Sequence, residues 1–79
     1  MSTFRKNLKI LRKQLGLTQD ELADKLNISR SLISHYELGK RLPKYHTLKQ
    51  LCEIFKVSYD ELLGKSDFSD YYNKDSSYK

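Results

Sequence analysis

The sequence predicts an all-α domain, a compact bundle of five helices, from two observations. Apolar residues recur at three- and four-residue spacing through most of residues 4–63, and no alternating stretch indicates a strand. Helix-capping residues recur along the same stretch. With 79 residues there is room for one small domain. We therefore expect a domain over residues 1–65 and a tail over residues 66–79.

The first helix is expected over residues 3–15, because Phe4, Leu8, Leu11 and Leu15 form one apolar stripe. Gly16 follows at the place where a left-handed residue commonly ends a helix. The stripe predicts that one face of this helix packs on the core.

Three later helices begin at capping residues. Thr18 is followed by Glu21, and Ser58 by Glu61, which is the pattern of a capping box, whereas Ser29 repeats the cap alone. Apolar pairs flank the caps in the pattern of hydrophobic staples: Leu17 and Leu22, Ile28 and Ile33, Val57 and Leu62. These signals predict helices over residues 19–26, 30–38 and 59–63.

The fourth helix is expected after Pro43, which interrupts the chain. It has one apolar face: Tyr45, Leu48, Leu51, Cys52 and Phe55. The tail over residues 66–79 is polar and has no apolar period, which favours disorder or loose attachment. Three aromatic residues leave a second interpretation open, in which the tail packs on the body or on a partner: Phe68, Tyr71 and Tyr72.

The charge distribution favours a polyanionic partner. The formal net charge is +5, and residues 1–65 carry thirteen Lys or Arg against seven Asp or Glu. Many small proteins are mildly basic, so charge alone leaves the partner open. The single cysteine, Cys52, excludes an internal disulfide. No apolar run approaches membrane-spanning length and no signal-peptide pattern is visible, so we expect a cytoplasmic protein without a membrane partner.

Helices 2 and 3 are separated by little spare chain, which predicts a helix-turn-helix. Leu26 ends one helix, Ser29 caps the next, and Asn27 tolerates the positive φ that a tight turn requires. Ala23, one turn earlier, allows the two helices to cross closely. The reading unit would therefore extend over residues 18–39.

The outer arc of helix 3 has the properties of a DNA-reading surface. A helical wheel places Ile33, Tyr36 and Glu37 on the inner arc. The outer arc begins with Arg30 and continues with four other residues: Ser31, Ser34, His35 and Leu38. It holds no acid, and it lacks the Glu–Lys pairs that are typical of a merely solvated face. Such a surface fits the major groove, where Arg30 would read guanine; a phosphate contact or plain exposure is the alternative for this residue.

Five motifs together carry a family resemblance: LTQDELA at 17–23, ISRSLIS at 28–34, Glu37-x-Gly39-Lys40, Pro43, and VSYDELL at 57–63. With them, residues 4–64 resemble the phage repressor/Cro-like, or Xre, family of helix-turn-helix DNA-binding domains. The resemblance implies a lambda-repressor-like five-helix bundle, and members of this family mostly bind operators as dimers.

The resemblance also implies roles for individual residues. Four would read bases: Arg30, Ser31, Ser34 and His35. Six would bind phosphates: Thr18, Gln19, Ser29, Lys40, Arg41 and Lys44. Gln19 would also brace the residue at the start of helix 3, and Arg12 and Glu37 would form an ion pair between helices 1 and 3. Four would supply the two-fold contact of a homodimer: Ile54, Val57, Tyr59 and Leu63. A solvated loop is the alternative for Lys40, Arg41 and Lys44. Core closure is the alternative for the four residues of the two-fold contact, and it is favoured for Val57.

Three positions depart from the family pattern. Asn27 stands where glycine is frequent, and Leu38 replaces a common polar phosphate contact. Leu32 stands where Thr or Ser is frequent, and it either touches a thymine methyl group or packs at the edge of the core.

These observations predict a sequence-specific regulator of transcription, more specifically a repressor, that binds double-stranded DNA at a partly palindromic operator. An antitoxin or other protein-interaction module that represses its own promoter, with a protein antagonist as partner, is the alternative. We do not expect an enzyme, because adjacent Ser34 and His35 do not face each other on a helix. No metal-ligand spacing and no glycine-rich cofactor motif is present, so we expect neither metal nor cofactor.

Overall fold

The computed structural model describes residues 4–64, and within that range the chain forms five α-helices and no strand. The helices are α1 (Phe4–Gln14), α2 (Gln19–Leu26), α3 (Arg30–Glu37), α4 (Tyr45–Phe55) and α5 (Tyr59–Leu63). The predicted fold class is confirmed. The prediction of a separate tail over residues 66–79 lies outside the described residues.

Local capping explains where three helices begin. Thr18 Oγ1 accepts a hydrogen bond from the Glu21 N–H at 3.0 Å, and Glu21 Oε1 accepts one from the Thr18 N–H at 2.8 Å. Ser58 and Glu61 repeat this reciprocal pair at 3.1 and 2.7 Å. Ser29 caps α3 through its Oγ alone, which accepts from the Leu32 N–H at 3.2 Å. Each cap satisfies amide groups that a helix start leaves without intrahelical partners.

Residues with positive φ end α1, α2 and α4. Gly16 has φ +71° and Asn27 has φ 58°, as the sequence predicts for both turns. Lys56, the C-cap of α4, also has φ 58°. Nothing in the sequence indicated this conformation, since lysine does not favour it. α4 begins at Tyr45 without a side-chain hydrogen bond from its N-cap, Lys44.

The core is formed by all five helices. The fully or almost fully buried apolar residues are Phe4, Leu8, Leu22, Ala23, Leu26, Ile33, Tyr36, Leu48, Leu51, Phe55, Leu62 and Leu63. The rings of Phe4 and Tyr36 meet edge to face with centroids 6.1 Å apart, which joins α1 to α3. Leu15, predicted to extend the apolar stripe of α1, is 51% exposed because α1 ends at Gln14, before this residue.

Helix packing leaves one side of α3 uncovered. α2 packs mainly on α3, and α1 packs on α3 and α5. None of the helices between residues 4 and 64 is long and apolar enough to cross a membrane.

Candidate nucleic-acid interface

The turn between α2 and α3 fixes the angle at which α3 is presented. Asn27 adopts φ 58° and ψ 45° directly after α2, and the backbone N–H of Ile28 donates to the Ala23 carbonyl at 3.0 Å. Ala23 is 2% exposed, so its small side chain lies inside the helix crossing. Ser29 then caps α3 at once, and the two helices form the predicted compact helix-turn-helix.

The two faces of α3 differ sharply in burial. Ile33 and Tyr36 are buried, whereas Arg30, Ser31 and His35 are exposed. Ser34 is half-buried, which leaves it a smaller accessible surface than the wheel suggested.

Two departures from the family pattern are resolved by this burial. Leu32 is half-buried and packs against the core cluster, which favours the second of its two interpretations. Leu38, the C-cap of α3, is 60% exposed and offers no polar group through its side chain.

An ion pair between Arg12 of α1 and Glu37 of α3 holds α3 on its buried side. Arg12 Nε donates to Glu37 Oε2 at 2.6 Å and Arg12 Nη2 donates to Glu37 Oε1 at 3.1 Å. The same guanidinium donates through Nη1 to the Leu17 carbonyl at 2.8 Å. The two side chains are only 10% and 5% exposed. The hydrogen bonds to Glu37 raise the pKa of Arg12, so the guanidinium stays charged in this setting.

Gln19 joins the same carboxylate. Its Nε2 donates to Glu37 Oε1 at 3.1 Å, so Glu37 connects α1, α2 and α3. The resemblance implied that Gln19 braces the residue at the start of α3. The structure corrects this, because the Gln19 amide reaches the last turn of α3 and leaves Arg30 to another partner.

That partner is Asp20, a residue that the sequence analysis did not single out. Asp20 Oδ1 lies 3.7 Å from Arg30 Nε, and the two side chains are 75% and 63% exposed. Exposed pairs of this kind contribute at most about 1 kcal/mol to stability. The sequence does place an acidic residue in the first turn of α2 and a basic residue in the first turn of α3. That these two residues form a pair can be recognised only once the crossing of the two helices is known.

Basic residues follow α3 in an exposed loop. Lys40, Arg41 and Lys44 are all exposed. Gly39, with φ +78°, begins this loop, and a Cβ added there would lie 2.7 Å from Arg5 Cδ. Arg5 of α1 therefore packs against the start of the basic loop, a neighbour that the sequence did not indicate.

The residues expected at a two-fold contact divide into two groups. Ile54, Val57 and Tyr59 are half-buried against the core. Leu63 has no exposed surface and is part of the core, so the expectation that it contacts a partner copy is wrong. The Tyr59 hydroxyl donates to the Tyr45 hydroxyl at 3.0 Å, and this bond is the main reason that the pKa of Tyr59 is raised to about 12.

Two further kinds of site concern possible metal ligands and the thiol of Cys52. Between residues 4 and 64 no group of three His, Cys, Asp or Glu side chains could hold a metal ion. Burial raises the pKa of the Cys52 thiol to about 11, with smaller contributions from Glu53 and Glu61. The thiol is therefore protonated near neutral pH, which is the unreactive form.

The geometry defines a helix-turn-helix protein, and comparison with known proteins gives the family. Residues 6–67 match the family described as "Helix-turn-helix domain", and the chain belongs to it. The uncharacterized HTH-type transcriptional regulator YqaE of Bacillus subtilis is 51% identical over 65 residues, which are 81% of this chain and 56% of that protein. The antitoxin PezA of Streptococcus pneumoniae is 40% identical over 60 residues, 76% of this chain and 38% of that protein.

A solved structure shares the fold. The crystal structure of a transcriptional regulator from Listeria innocua superposes with a TM-score of 0.77 at 32% identity, over 82% of this chain and 61% of that one. The resemblance to repressor-type helix-turn-helix domains is thereby confirmed. The chain spans about half the length, or less, of the two curated relatives described above.

Proposed function

We propose that this chain is a sequence-specific double-stranded DNA-binding domain of a transcriptional regulator, and that α3 enters the major groove. The observation that carries the proposal is the contrast between the two faces of α3. Its inner face is fixed by the core and by Glu37, while its exposed side chains are one long cation and short polar groups. Such a helix can enter the groove without repelling phosphate.

Base readout is assigned to four residues: Arg30, Ser31, Ser34 and His35. Arg30 stands at the first position of α3, where its guanidinium fork can reach guanine O6 and N7. Ser31 and His35 lie one turn apart on the exposed side and can accept from or donate to base edges. Ser34 is half-buried, so its contribution requires the closest approach of the helix to the bases.

Phosphate contacts are assigned to the helix starts. Thr18 and Ser29 use their side-chain oxygens as acceptors within the caps, which leaves each hydroxyl hydrogen free to donate to a phosphate. Gln19 has a second amide hydrogen besides the one that Glu37 accepts. The N-termini of α2 and α3 add the positive ends of their dipoles.

The basic loop after α3 supplies the remaining phosphate contacts. Lys40, Arg41 and Lys44 carry three positive charges beside the reading helix. Charges in this position attract every DNA sequence equally. They also fix the position along the DNA at which α3 contacts the bases.

A second copy of the chain would double the reading surface. We propose a homodimer whose two α3 helices lie about 34 Å apart, one turn of DNA. Ile54, Val57 and Tyr59 retain partly exposed surface near the C-terminal end of the bundle, where a two-fold contact would form.

The regulatory outcome that fits this domain best is repression. A protein that occupies an operator blocks polymerase by occupancy alone, whereas activation needs a further contact surface. We propose no catalytic role, because the chemistry of the described residues is that of hydrogen bonding and charge.

The test is selection of binding sites from random duplex DNA, followed by titration of the selected site at two salt concentrations. The proposal predicts one enriched, partly palindromic motif and a steep fall of affinity with salt. Recovery of sequences without a shared motif would contradict sequence-specific recognition, and an affinity independent of salt would contradict the phosphate contacts.

An antitoxin that represses its own promoter is the second candidate, and the similarity to PezA favours it. The test is coexpression with the product of the gene adjacent to its own. An antitoxin forms a stable complex with that product and relieves growth inhibition by it, whereas a dedicated regulator does neither.

A further inference from the structure

Asp20 and Arg30 form an exposed pair at the centre of the proposed interface. Asp20 is the second residue of α2 and Arg30 is the first residue of α3, and 3.7 Å separates the carboxylate Oδ1 from the guanidinium Nε. With side chains 75% and 63% exposed, the pair contributes little to folding. A carboxylate at this place therefore matters mainly for what happens when DNA arrives.

The location of Asp20 is unfavourable for DNA binding as such. It follows Thr18 and Gln19, which we assign to phosphate contacts, and it brings a negative charge towards the phosphate backbone. Asp20 does add a favourable negative charge to the first turn of α2, but Glu21 supplies a second one there and also the carboxylate of the capping box, so the start of α2 does not depend on Asp20 alone. The charge weakens binding to every DNA sequence unless Arg30 remains beside it.

The geometry of the contact preserves the reading end of Arg30. Asp20 faces Nε, so the two terminal amino groups, Nη1 and Nη2, remain available for a bidentate contact with one base. If Arg30 turned away to a phosphate instead, Asp20 would be left without its partner near the DNA backbone.

We propose that Asp20 is a positioning residue that directs Arg30 towards a base and discourages its use as a phosphate contact. This inference rests on the proposed function, since it assumes that Arg30 reads DNA. Asp20 thus raises discrimination between the selected site and other DNA at the expense of total affinity.

The experiment compares four single variants and one double variant on two duplexes, the site selected with the unmodified chain and a scrambled duplex of equal composition. Asp20→Asn should bind the scrambled duplex about two- to fivefold more tightly and reduce the ratio of the two affinities by a similar factor. Asp24→Asn, one turn further along α2, makes the same change in net charge and should leave the ratio unchanged. Asp20→Glu restores a carboxylate and should recover at least part of the lost discrimination.

Arg30→Ala completes the set. In this background Asp20→Asn should no longer alter the ratio, because the side chain that it positions is absent. Thermal unfolding by circular dichroism verifies that each variant folds.

The outcomes distinguish the positioning role of Asp20 from the proposal that Arg30 reads a base. An unchanged ratio in Arg30→Ala would contradict base reading by Arg30, and the positioning role would fail with it. A reduced ratio in Arg30→Ala together with equal behaviour of Asp20→Asn and Asp24→Asn would overturn the positioning role alone.

Discussion

Glu37 faces Arg12 through two hydrogen bonds, 2.6 Å from Nε and 3.1 Å from Nη2, with both side chains almost wholly removed from solvent. The pair joins the last turn of α3 to α1. Removing one partner would leave the other charge buried with a neutral hydrogen-bond partner only, Gln19 for Glu37 or the Leu17 carbonyl for Arg12. That loss costs more than the pair contributes when intact.

Arg12→Ala is therefore expected to lower the free energy of unfolding by about 3–5 kcal/mol. The double replacement Arg12→Met with Glu37→Leu should cost clearly less than the sum of the single replacements, because neither charge is then left buried alone. Urea unfolding followed by circular dichroism measures both. Lys13→Ala, at an exposed neighbour, serves as the control; strictly additive losses at Arg12 and Glu37 would show that the two residues act independently.

The left-handed conformation of Lys56 predicts an easy gain in stability. Lys56→Gly should raise the free energy of unfolding by about 0.5–1 kcal/mol, because glycine adopts φ 58° without the clash of a Cβ. Lys49→Gly, in the interior of α4, should lower it by about 1 kcal/mol. If both variants lose stability equally in thermal melts, the strain at Lys56 is refuted.

Arg30→Ala should reduce affinity for the selected site by about 1–3 kcal/mol and relax preference at one base position. The reason is that a bidentate contact with one base is lost while phosphate contacts remain. Repeating the selection with the variant measures the change directly. Lys49→Ala removes a positive charge outside the proposed interface and should preserve the motif; an equal loss on selected and scrambled DNA would assign Arg30 to phosphate.

Lys44→Gln should reduce the slope of log K against log salt by about 0.9, since one phosphate contact releases about one counterion. Its losses on selected and scrambled duplexes should be similar, unlike those of Arg30→Ala. Fluorescence anisotropy over a series of salt concentrations gives the slope. Lys49→Gln provides the charge-matched comparison, and an equal slope for the two variants would place the basic loop away from the DNA.

The hydrogen bond from the Tyr59 hydroxyl to the Tyr45 hydroxyl predicts that Tyr59 loses its proton only at high pH. The pKa of Tyr59 is raised to about 12 from an ordinary value near 10, mainly by the hydrogen bond to Tyr45. The folded chain therefore holds this proton at a pH where the unfolded chain has lost it. The associated stability is present below pH 10 and is lost as the pH rises from about 10 to 12.

Tyr45→Phe removes the acceptor and should lower the pKa of Tyr59 towards 10, as followed by tyrosinate absorbance. Tyr59→Phe should eliminate the late transition altogether. Persistence of that transition in Tyr59→Phe would assign it to another tyrosine.

Features set by neighbouring residues were predictable from the sequence. The Thr18–Glu21 and Ser58–Glu61 capping boxes and the turn at Asn27 depend on residues within a few positions of one another. Residue types and their spacing are therefore enough to predict them. The inward and outward arcs of α3 followed from the 3.6-residue period, and only Ser34 is less exposed than the wheel indicated.

Contacts between helices could not be predicted from the spacing of residues in the sequence. The Gln19–Glu37 bond, the Asp20–Arg30 pair and the packing of Arg5 on Gly39 each depend on how helices cross. Leu15 and Leu63 show the same limit for burial. The apolar period of α1 did not indicate whether a neighbour covers Leu15, and the family resemblance did not indicate that the core covers Leu63. Leu15 is uncovered, whereas Leu63 is wholly covered.

The unequal burial of α3 also bears on how such a domain could acquire new targets. Ser31 and His35 are exposed, whereas Ile33 and Tyr36 in the core and Glu37 in its ion pair hold the helix in place. Exchanges at exposed positions of this kind usually change stability by less than about 0.5 kcal/mol. The outer residues of α3 are therefore free to diversify while the scaffold stays constant, and operator preference can drift without a loss of fold.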